Sequence, residues 1–235
     1  QTLVNSTMQQ IAYSNSSDAP PASAQINWTF NDGNSGSQGS GGALTATGST
    51  TVTITGVNDV PTLTNLSGDS LAYSEGAGAV VIEQGANVLV ADIDSSNFDT
   101  GTLTVSIPSG GDSAEDVLSI RNQGTGAGQI GVSGSTISYE GTAIGTFTGG
   151  SGGSNLVITL NSSADATTVT ALVKNITYAN TDTAAPTTGS RTVRYVLTDG
   201  DGGTSTNYDA TVTVSAVNDA PVLADSNLTF TVLED

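Results

Sequence analysis

The stretch Gly56-Val-Asn-Asp-Val-Pro-Thr-Leu63 recurs later in the chain as Ala216-Val-Asn-Asp-Ala-Pro-Val-Leu223. Matches at several places in the same order along a chain indicate an internal repeat. The residues in front of the two copies correspond in this way: Ile11–Asn15 matches Ile176–Asn180, and Ile26–Gly33 matches Val193–Gly200.

The repeat predicts the domain organisation. Residues 62–221 form one complete unit, residues 1–61 are the C-terminal part of a preceding unit, and residues 222–235 are the first strand of a following unit. A looser match between Leu71–Gly76 and Leu228–Asp235 supports this division, because both segments follow an Asn-Asp-x-Pro motif. We therefore expect a linear array of similar units.

Most of the chain alternates apolar and hydroxyl residues with a period of two, which is the pattern of strands with one buried face. In Thr102–Ile107 the Leu, Val and Ile side chains share one face, and the Thr and Ser side chains share the other. Clusters of Gly, Ser, Asp and Asn between such runs predict turns. The predicted fold class is all-β, an antiparallel β-sandwich. Further strands are predicted at 50–55, 79–82, 156–160, 192–198 and 211–215.

One segment favours a helix. Residues 163–173 open with Ser and Asp, which are capping residues, and place Val169, Leu172 and Val173 at i, i+3, i+4 spacing. We expect one short helix at a corner of the sandwich. The complete unit is long, so inserted strands or loops are expected around residues 109–155.

The composition excludes several classes of function. The chain has 4 Lys and Arg, 22 Asp and Glu, no His, no Cys and a formal net charge of -18. Without His or Cys there is no Ser-His-Asp triad, no Cys nucleophile and no zinc-thiolate site. The negative field repels nucleic acid and attracts cations. No apolar run approaches membrane-spanning length, and no signal peptide pattern opens the chain.

Three motifs carry a resemblance to a known family. Val-Asn-Asp-x-Pro closes a β-rich repeat, Ser-Glu-Gly occurs at 74–76, and Thr-Asp-Gly-Asp-Gly-Gly forms a hairpin signal at 198–203. Together they resemble the cadherin-like tandem repeats of giant bacterial surface proteins and adhesins, over essentially the whole chain. The resemblance implies cadherin-like or immunoglobulin-like sandwiches in a linear rod, with structural calcium at each junction. The animal cadherin linker, Asp-x-Asn-Asp-Asn-x-Pro, is only partly present, which implies fewer ions per junction.

Calcium takes six to eight oxygen ligands, which Asp and Asn side chains supply. The alternation in Ala91-Asp-Ile-Asp94 is expected to place two carboxylates on one face of an extended segment, where they repel unless a cation lies between them. The candidate ligands at the first junction are Asn58, Asp59, Glu75, Asp92 and Asp94, with Asp32 from the preceding unit. Those at the second junction are Asn218, Asp219, Glu234 and either Asp199 or Asp201.

Each of these residues also has a purely structural interpretation. Asn58-Asp59 before Pro61, and Asp199-Gly200, are both common turn sequences. The Asp199–Gly203 run resembles the start of an EF-hand loop, but Ala210 stands where the bidentate Glu belongs.

The two terminal pieces raise an assembly hypothesis. Residues 1–61 are predicted to hold three strands, Met8–Ser14, Ala24–Asn31 and Ser49–Gly56, which leave an apolar face and open edges. Residues 225–233 are one strand without a sheet, and β-augmentation would let one copy donate it to the next, head to tail. Alternatively, the boundaries are arbitrary cuts in a longer chain of repeats.

The expected function is structural: a calcium-stiffened extracellular repeat forming a rod or filament on a bacterial cell surface. The alternative is a ligand-binding adhesin domain that recognises carbohydrate, ice or another surface through a Thr-rich face. Thr51-x-Thr53-x-Thr55 and Thr211-x-Thr213 belong to repeat-equivalent strands, so one contiguous face is not expected. An enzyme, such as a glycosidase accessory module, is the least favoured class, and no catalytic residue is assigned.

Seven Asn-x-Ser/Thr sequons leave glycosylation open: Asn5, Asn15, Asn27, Asn65, Asn161, Asn175 and Asn227.

Overall fold

A computed structural model describes residues 2–37, 39–221, 229 and 231–235. The fold is all-β and sandwich-like, with antiparallel sheets and two short helices in the part described. The helices are α1 (Thr2–Met8) and α2 (Ala166–Val173). The strands are β1 (Ser23–Asn31), β2 (Thr45–Thr53), β3 (Thr62–Thr64), β4 (Ser70–Ser74), β5 (Val80–Val81), β6 (Leu89–Ala91), β7 (Thr102–Ser109), β8 (Asp116–Ile120), β9 (Ile130–Ser133), β10 (Thr136–Tyr139), β11 (Thr142–Thr148), β12 (Leu156–Leu160), β13 (Ile176–Asn180), β14 (Gly189–Leu197) and β15 (Tyr208–Ser215).

Residues from β3 onward build the complete unit. Its large sheet has eight strands in the order β4-β15-β14-β7-β12-β11-β10-β9. Strand β15 pairs in parallel with β4, and the other neighbours in this sheet are antiparallel. A second sheet has the order β5-β13-β8, and β3 pairs with β6. Strands β8 to β11 occupy the region in which the sequence predicted inserted strands or loops.

One hydrophobic core joins the two sheets. Strands β7, β14 and β12 contribute side chains from the large sheet, strands β8 and β13 from the second sheet, and α2 closes one side. Tyr73 of β4 and Tyr178 of β13 meet edge to face with ring centroids 5.0 Å apart, so an aromatic pair spans the sheets. Helix α2 begins with the predicted cap, because Asp165 accepts a hydrogen bond from the Thr168 amide and the Thr168 hydroxyl accepts one from the Asp165 amide.

A buried ion pair lies within this core. The guanidinium of Arg191 is fully buried, and its Nε lies 3.3 Å from Oδ2 of Asp116. The remaining guanidinium nitrogens donate to the carbonyls of Gly189 and Thr187. The phenol of Tyr178 donates to Asp116 Oδ1, which satisfies the other carboxylate oxygen. Burial of a charged pair is tolerated where its hydrogen bonds are completed in this way.

Residues 2–56 lie outside the core. Strands β1 and β2 form a two-stranded antiparallel ribbon in which no residue is fully buried. The prediction of a third strand at Met8–Ser14 is wrong, because α1 ends at Met8 and the following residues have no regular structure. The repeat-equivalent Ile176–Asn180 is a strand because β5 and β8 pair with it, whereas residues 11–15 have no paired strand in the part described.

Candidate metal centre at the repeat junction

The linker at Val57–Pro61 contacts the hairpin at residues 198–204. Asn58 Nδ2 donates one hydrogen bond to the Asp199 carboxylate at 2.8 Å and one to the Asp59 carbonyl at 2.9 Å. The first Asn-Asp-x-Pro motif is thus attached to the Asp-Gly-Asp-Gly-Gly hairpin of the unit that follows it.

Asp199 is held as an ionised carboxylate. Its side chain is fully buried and accepts hydrogen bonds from the amides of Asp201, Gly202 and Gly203 at 2.8 to 3.1 Å. Burial alone would raise its pKa, but these hydrogen bonds and the one from Asn58 together lower the pKa below its ordinary value. The hairpin is therefore organised around a buried negative charge.

Gly203 is required by this packing. A Cβ at this position would lie 2.1 Å from Asp199 Oδ2, 2.6 Å from the Asp59 carbonyl oxygen and 2.8 Å from Asn58 Nδ2. The last Gly of the motif consequently lets the linker and the hairpin approach each other closely, which is a packing requirement in addition to turn formation.

Asp92 and Asp94 follow β6 and lie beside the same linker. Asp94 Oδ2 accepts a hydrogen bond from the Asp59 amide at 3.2 Å. Asp92 Oδ1 accepts from the amides of Asp94 at 3.3 Å and Ser95 at 3.2 Å. The expectation of an extended Asp-x-Asp is therefore wrong: strand β6 ends at Ala91, and an Asx turn brings the two carboxylates together.

The other Asp92 oxygen, Oδ2, is buried and has no hydrogen-bond partner among the described residues. Burial raises the pKa of Asp92, and the neighbouring Asp94 raises it further, against the opposing effect of the Ser95 amide. A partly buried carboxylate with an unsatisfied oxygen, next to a second carboxylate, favours a cation nearby.

Two more carboxylates lie at this junction. Asp201 Oδ2 accepts from the Ser95 hydroxyl at 3.5 Å, which links the hairpin to the Asp92 turn. Asp18, which no sequence motif indicates, lines one groove together with Asp59 and Asp92. It lies there because the segment before β1 runs beside the linker, where the Ile54 amide donates to the Ala22 carbonyl at 2.9 Å.

Two predicted members of the first junction lie elsewhere. Asp32 is at the tip of the β1–β2 ribbon, where its carboxylate accepts from the amides of Asn34 and Leu44. The nine residues of β2 separate this tip from the linker, a span of about 30 Å in an extended strand. Glu75 follows β4 at the end of β15 opposite the hairpin, because Ser74 pairs with Ser215.

Glu75 instead meets the second Asn-Asp-x-Pro motif. Its Oε2 accepts from the Val217 amide at 2.8 Å, and its Oε1 is buried with no hydrogen-bond partner among the described residues. Asn218 Nδ2 donates to the Asp219 carbonyl at 3.3 Å, which repeats the Asn58–Asp59 geometry. Asp199 and Asp201, predicted for this junction, lie at the first one because the hairpin turns back toward the entering linker.

The predicted following strand is only partly described. Residues 222–228 and 230 lie outside the described residues, and residues 231–235 are exposed and irregular. Glu234 is one of these exposed residues, and none of the hydrogen bonds described for the second motif involves it.

The junction offers the hard oxygen donors that calcium prefers: carboxylates of Asp92 and Asp94, the Asp201 carboxylate and the carbonyl of Asp59. In the described ranges, however, no group of three or more Asp and Glu side chains is arranged to hold a metal ion. Water and carbonyl oxygens would therefore have to complete any coordination sphere that begins at the unsatisfied Asp92 oxygen.

The outer face of the large sheet carries a second feature. Hydroxyl residues face one another across five neighbouring strands, about 4.8 Å apart from strand to strand. This hydroxyl row consists of Thr102, Thr159, Thr146, Thr136 and Ser133. The residues considered from sequence for a Thr-rich face, Thr51, Thr53, Thr55, Thr211 and Thr213, are not members of this row. The row arises from pairing among β7, β12, β11, β10 and β9, which local alternation does not reveal.

Comparisons with known proteins do not assign the chain to a family. No protein-family model matches it, and no curated protein shows significant similarity to it. In the described part of the chain, neither helix is long or apolar enough to cross a membrane.

Proposed function

We propose that the chain is a structural, calcium-stiffened β-sandwich repeat of an extracellular rod or filament on a bacterial surface. The observation that supports this role best is the unsatisfied, buried Oδ2 of Asp92 beside the linker of the preceding unit. The proposed cation is calcium, because all the groups around it are oxygen donors and the chain has no His or Cys.

The proposed mechanism is electrostatic. Without a cation, the carboxylates of Asp92, Asp94 and Asp201 repel one another, and the linker bends at the Asn58–Asp59 contact. A cation bound to the Asp92 carboxylate, the Asp59 carbonyl and water reduces this repulsion and joins the linker to the turn after β6, so bending is restricted. Extracellular modules bind calcium with dissociation constants of about 0.1 to 1 mM, which suits a site with few ready-made ligands.

The direct test is thermal unfolding with calcium and with a chelator. Calcium at about 100 times its dissociation constant should stabilise the fold by about 2.7 kcal/mol, which corresponds to roughly 5 to 10 °C for a chain of this size. Asp92→Asn should abolish most of the shift, and Asp182→Asn, at a half-buried carboxylate that caps a turn away from the junction, should not. A wild-type shift below about 2 °C would contradict the proposal.

We propose further that β1–β2 is completed by strands of a neighbouring repeat, head to tail. Strand β14, the repeat equivalent of β1, lies between β15 and β7, and β15, the equivalent of β2, lies between β14 and β4. In the described part of the chain the corresponding outer edges of β1 and β2 have no strand. A two-stranded ribbon alone is marginally stable in water, so neighbouring strands would stabilise it.

The neighbour is either a second copy that donates residues 225–233 or an adjoining repeat of the same chain. Deletion of residues 225–235 distinguishes them. Loss of calcium-dependent polymers in electron micrographs and in sedimentation supports strand donation, and unchanged polymers contradict it. A monomeric intact chain would favour covalently joined repeats.

The hydroxyl row supports a second candidate function, recognition of a carbohydrate or another surface. Its members are evenly spaced and mostly exposed. Thr146→Val and Thr159→Val remove hydroxyl groups while keeping side-chain shape, so binding to immobilised polysaccharide or to ice should fall. Thr211→Val and Thr213→Val, which make the same substitution outside the hydroxyl row, provide the control.

A further inference from the structure

Three buried oxygen atoms inside the sandwich have no hydrogen-bond partner in the part of the chain that the structure describes. They are Asp69 Oδ2, Glu83 Oε2 and the phenolic oxygen of Tyr195. Their residues come from three places in the sequence: Asp69 directly precedes β4, Glu83 follows β5, and Tyr195 is in β14. None of them belongs to a junction motif.

These side chains are firmly positioned. Tyr195 is fully buried, and Glu83 is 4% exposed. The second oxygen of Glu83, Oε1, accepts hydrogen bonds from the amides of Asn87 at 3.0 Å and Val88 at 3.4 Å. The backbone of Asp69 is fixed to β15, because its carbonyl accepts from the Thr211 amide at 2.8 Å.

Asp69 and Tyr195 lie on the core side of the same sheet. Ser70, which follows Asp69, pairs with Thr211 of β15, and Tyr195 pairs with Tyr208 of the same strand. Asp69 alternates with the buried Leu71 and Tyr73 and so shares their face.

Burial raises the pKa of Asp69, and the charge of Glu83 raises it further. Burial likewise raises the pKa of Tyr195, and the charges of both carboxylates add to that effect. The described ion pairs of the chain use Asp116 and Asp209, so neither Asp69 nor Glu83 forms an ion pair with a Lys or Arg among the described residues. Arg121 and Lys174 line one groove together with Glu83, without an ion pair to it.

Two like charges in such surroundings need a cation or a proton. A bridging water would satisfy the hydrogen bonds but leave the charges unbalanced. We propose that Asp69, Glu83 and Tyr195 form an internal calcium site, separate from the junction. One divalent ion balances two carboxylates, and the phenol supplies a neutral oxygen. Calcium accepts irregular oxygen geometry and bound water, whereas magnesium requires a near-ideal octahedron.

Such an ion would connect the two sheets. Asp69 and Tyr195 are attached to the eight-stranded sheet, and Glu83 follows β5 of the three-stranded sheet. The internal site would thus stabilise one unit against opening of the sandwich, and it does not depend on an ion at the junction.

Calcium stoichiometry and affinity of the full chain, measured by competition with a fluorescent chelator, test the proposal. Glu83→Gln and Asp69→Asn should each remove one ion per chain or weaken one site about ten- to a hundredfold. Asp182→Asn removes a charge from a turn that contacts neither site and should leave calcium binding unchanged. Tyr195→Phe keeps the packing and both charges. If this variant binds calcium similarly weakly and its circular dichroism spectrum is unchanged, misfolding is excluded as the cause.

The outcomes separate this site from the junction. Loss of an ion in Glu83→Gln that Asp92→Asn retains supports the internal site. Unchanged stoichiometry and affinity in both Glu83→Gln and Asp69→Asn overturns it, whatever Asp92→Asn does. If Glu83→Gln raises the stability of the calcium-free chain and leaves calcium binding unchanged, Asp69 and Glu83 share a proton instead of a calcium ion. That result would also overturn the proposal.

Discussion

Asn58 and Asp199 lie 141 residues apart in sequence, and the side-chain amide of the first donates a 2.8 Å hydrogen bond to the carboxylate of the second. The contact joins the linker to the β14–β15 hairpin of the unit that begins after it. It explains why the Asn-Asp-x-Pro motif and the Asp-Gly-Asp-Gly-Gly motif occur in one repeat, since each provides the partner of the other.

Replacing Asn58 with Ala should destabilise the unit. The change removes a donor from a buried carboxylate, which costs about 1 to 3 kcal/mol. Urea unfolding in calcium-free buffer measures the loss. Asn218→Ala is the matched control, because Asn218 is the repeat equivalent and bonds only to the adjacent Asp219 carbonyl in the described hydrogen bonds. Equal losses in both variants would contradict the importance of the Asn58–Asp199 contact.

Gly203→Ala tests the close approach of linker and hairpin. The new Cβ would meet the Asp199 carboxylate at 2.1 Å and the Asp59 carbonyl at 2.6 Å, so the linker must move away. We expect a loss of about 1 to 3 kcal/mol, typical of overpacking, together with weaker calcium binding. Gly42→Ala, at a position with no atom within 4 Å of the new Cβ, should change neither quantity.

The lowered pKa of Asp199 predicts a specific acid sensitivity. A carboxyl whose pKa is lower in the folded chain than in the unfolded chain stabilises the fold above the unfolded value, about 3.9. This stabilisation is lost as the pH falls through the lower, folded value. The stability difference between wild type and Asp199→Asn should therefore be large at pH 7 and narrow below about pH 4. A difference independent of pH would contradict it.

Without calcium, the ionised Asp92 carboxylate should destabilise the fold, whereas the ionised Asp199 carboxylate stabilises it. Its pKa is raised in the folded chain, so ionisation at neutral pH opposes folding. Asp92→Asn is expected to raise the melting temperature in chelator and to reduce the further gain on adding calcium. Differential scanning calorimetry in both buffers measures the two changes. A lower melting temperature in chelator would show that the carboxylate stabilises the calcium-free fold.

Several strands were predictable because alternation of apolar and hydroxyl residues is a local pattern. The alternation in Thr102–Ile107 becomes β7, and the capping residue Asp165 begins α2 as expected. Strand pairing across the sheet leaves no such pattern, so the hydroxyl row from Thr102 to Ser133 could not be recognised from sequence.

The residue types of the candidate site were predictable from sequence, but which of these residues lie together was less so. The repeat indicates which residues correspond, but it does not say toward which end of a sandwich a hairpin turns. Asp199 was therefore assigned to the second junction, and Glu75 to the first. The Asp69, Glu83 and Tyr195 group was missed because its members share neither a motif nor a sequence neighbourhood.

The buried pair of Arg191 and Asp116 provides a final prediction. Arg191→Met leaves Asp116 as a buried charge without its partner, which costs about 3 to 5 kcal/mol. Arg194 pairs with Asp209 at 2.8 Å near the surface, where both side chains are more than 30% exposed. Arg194→Met should therefore cost only about 0 to 1 kcal/mol. Urea denaturation at neutral pH compares the two variants, which remove the same charge from the same strand. Similar losses would mean that Tyr178 and the Asp112 amide satisfy Asp116 without its cation.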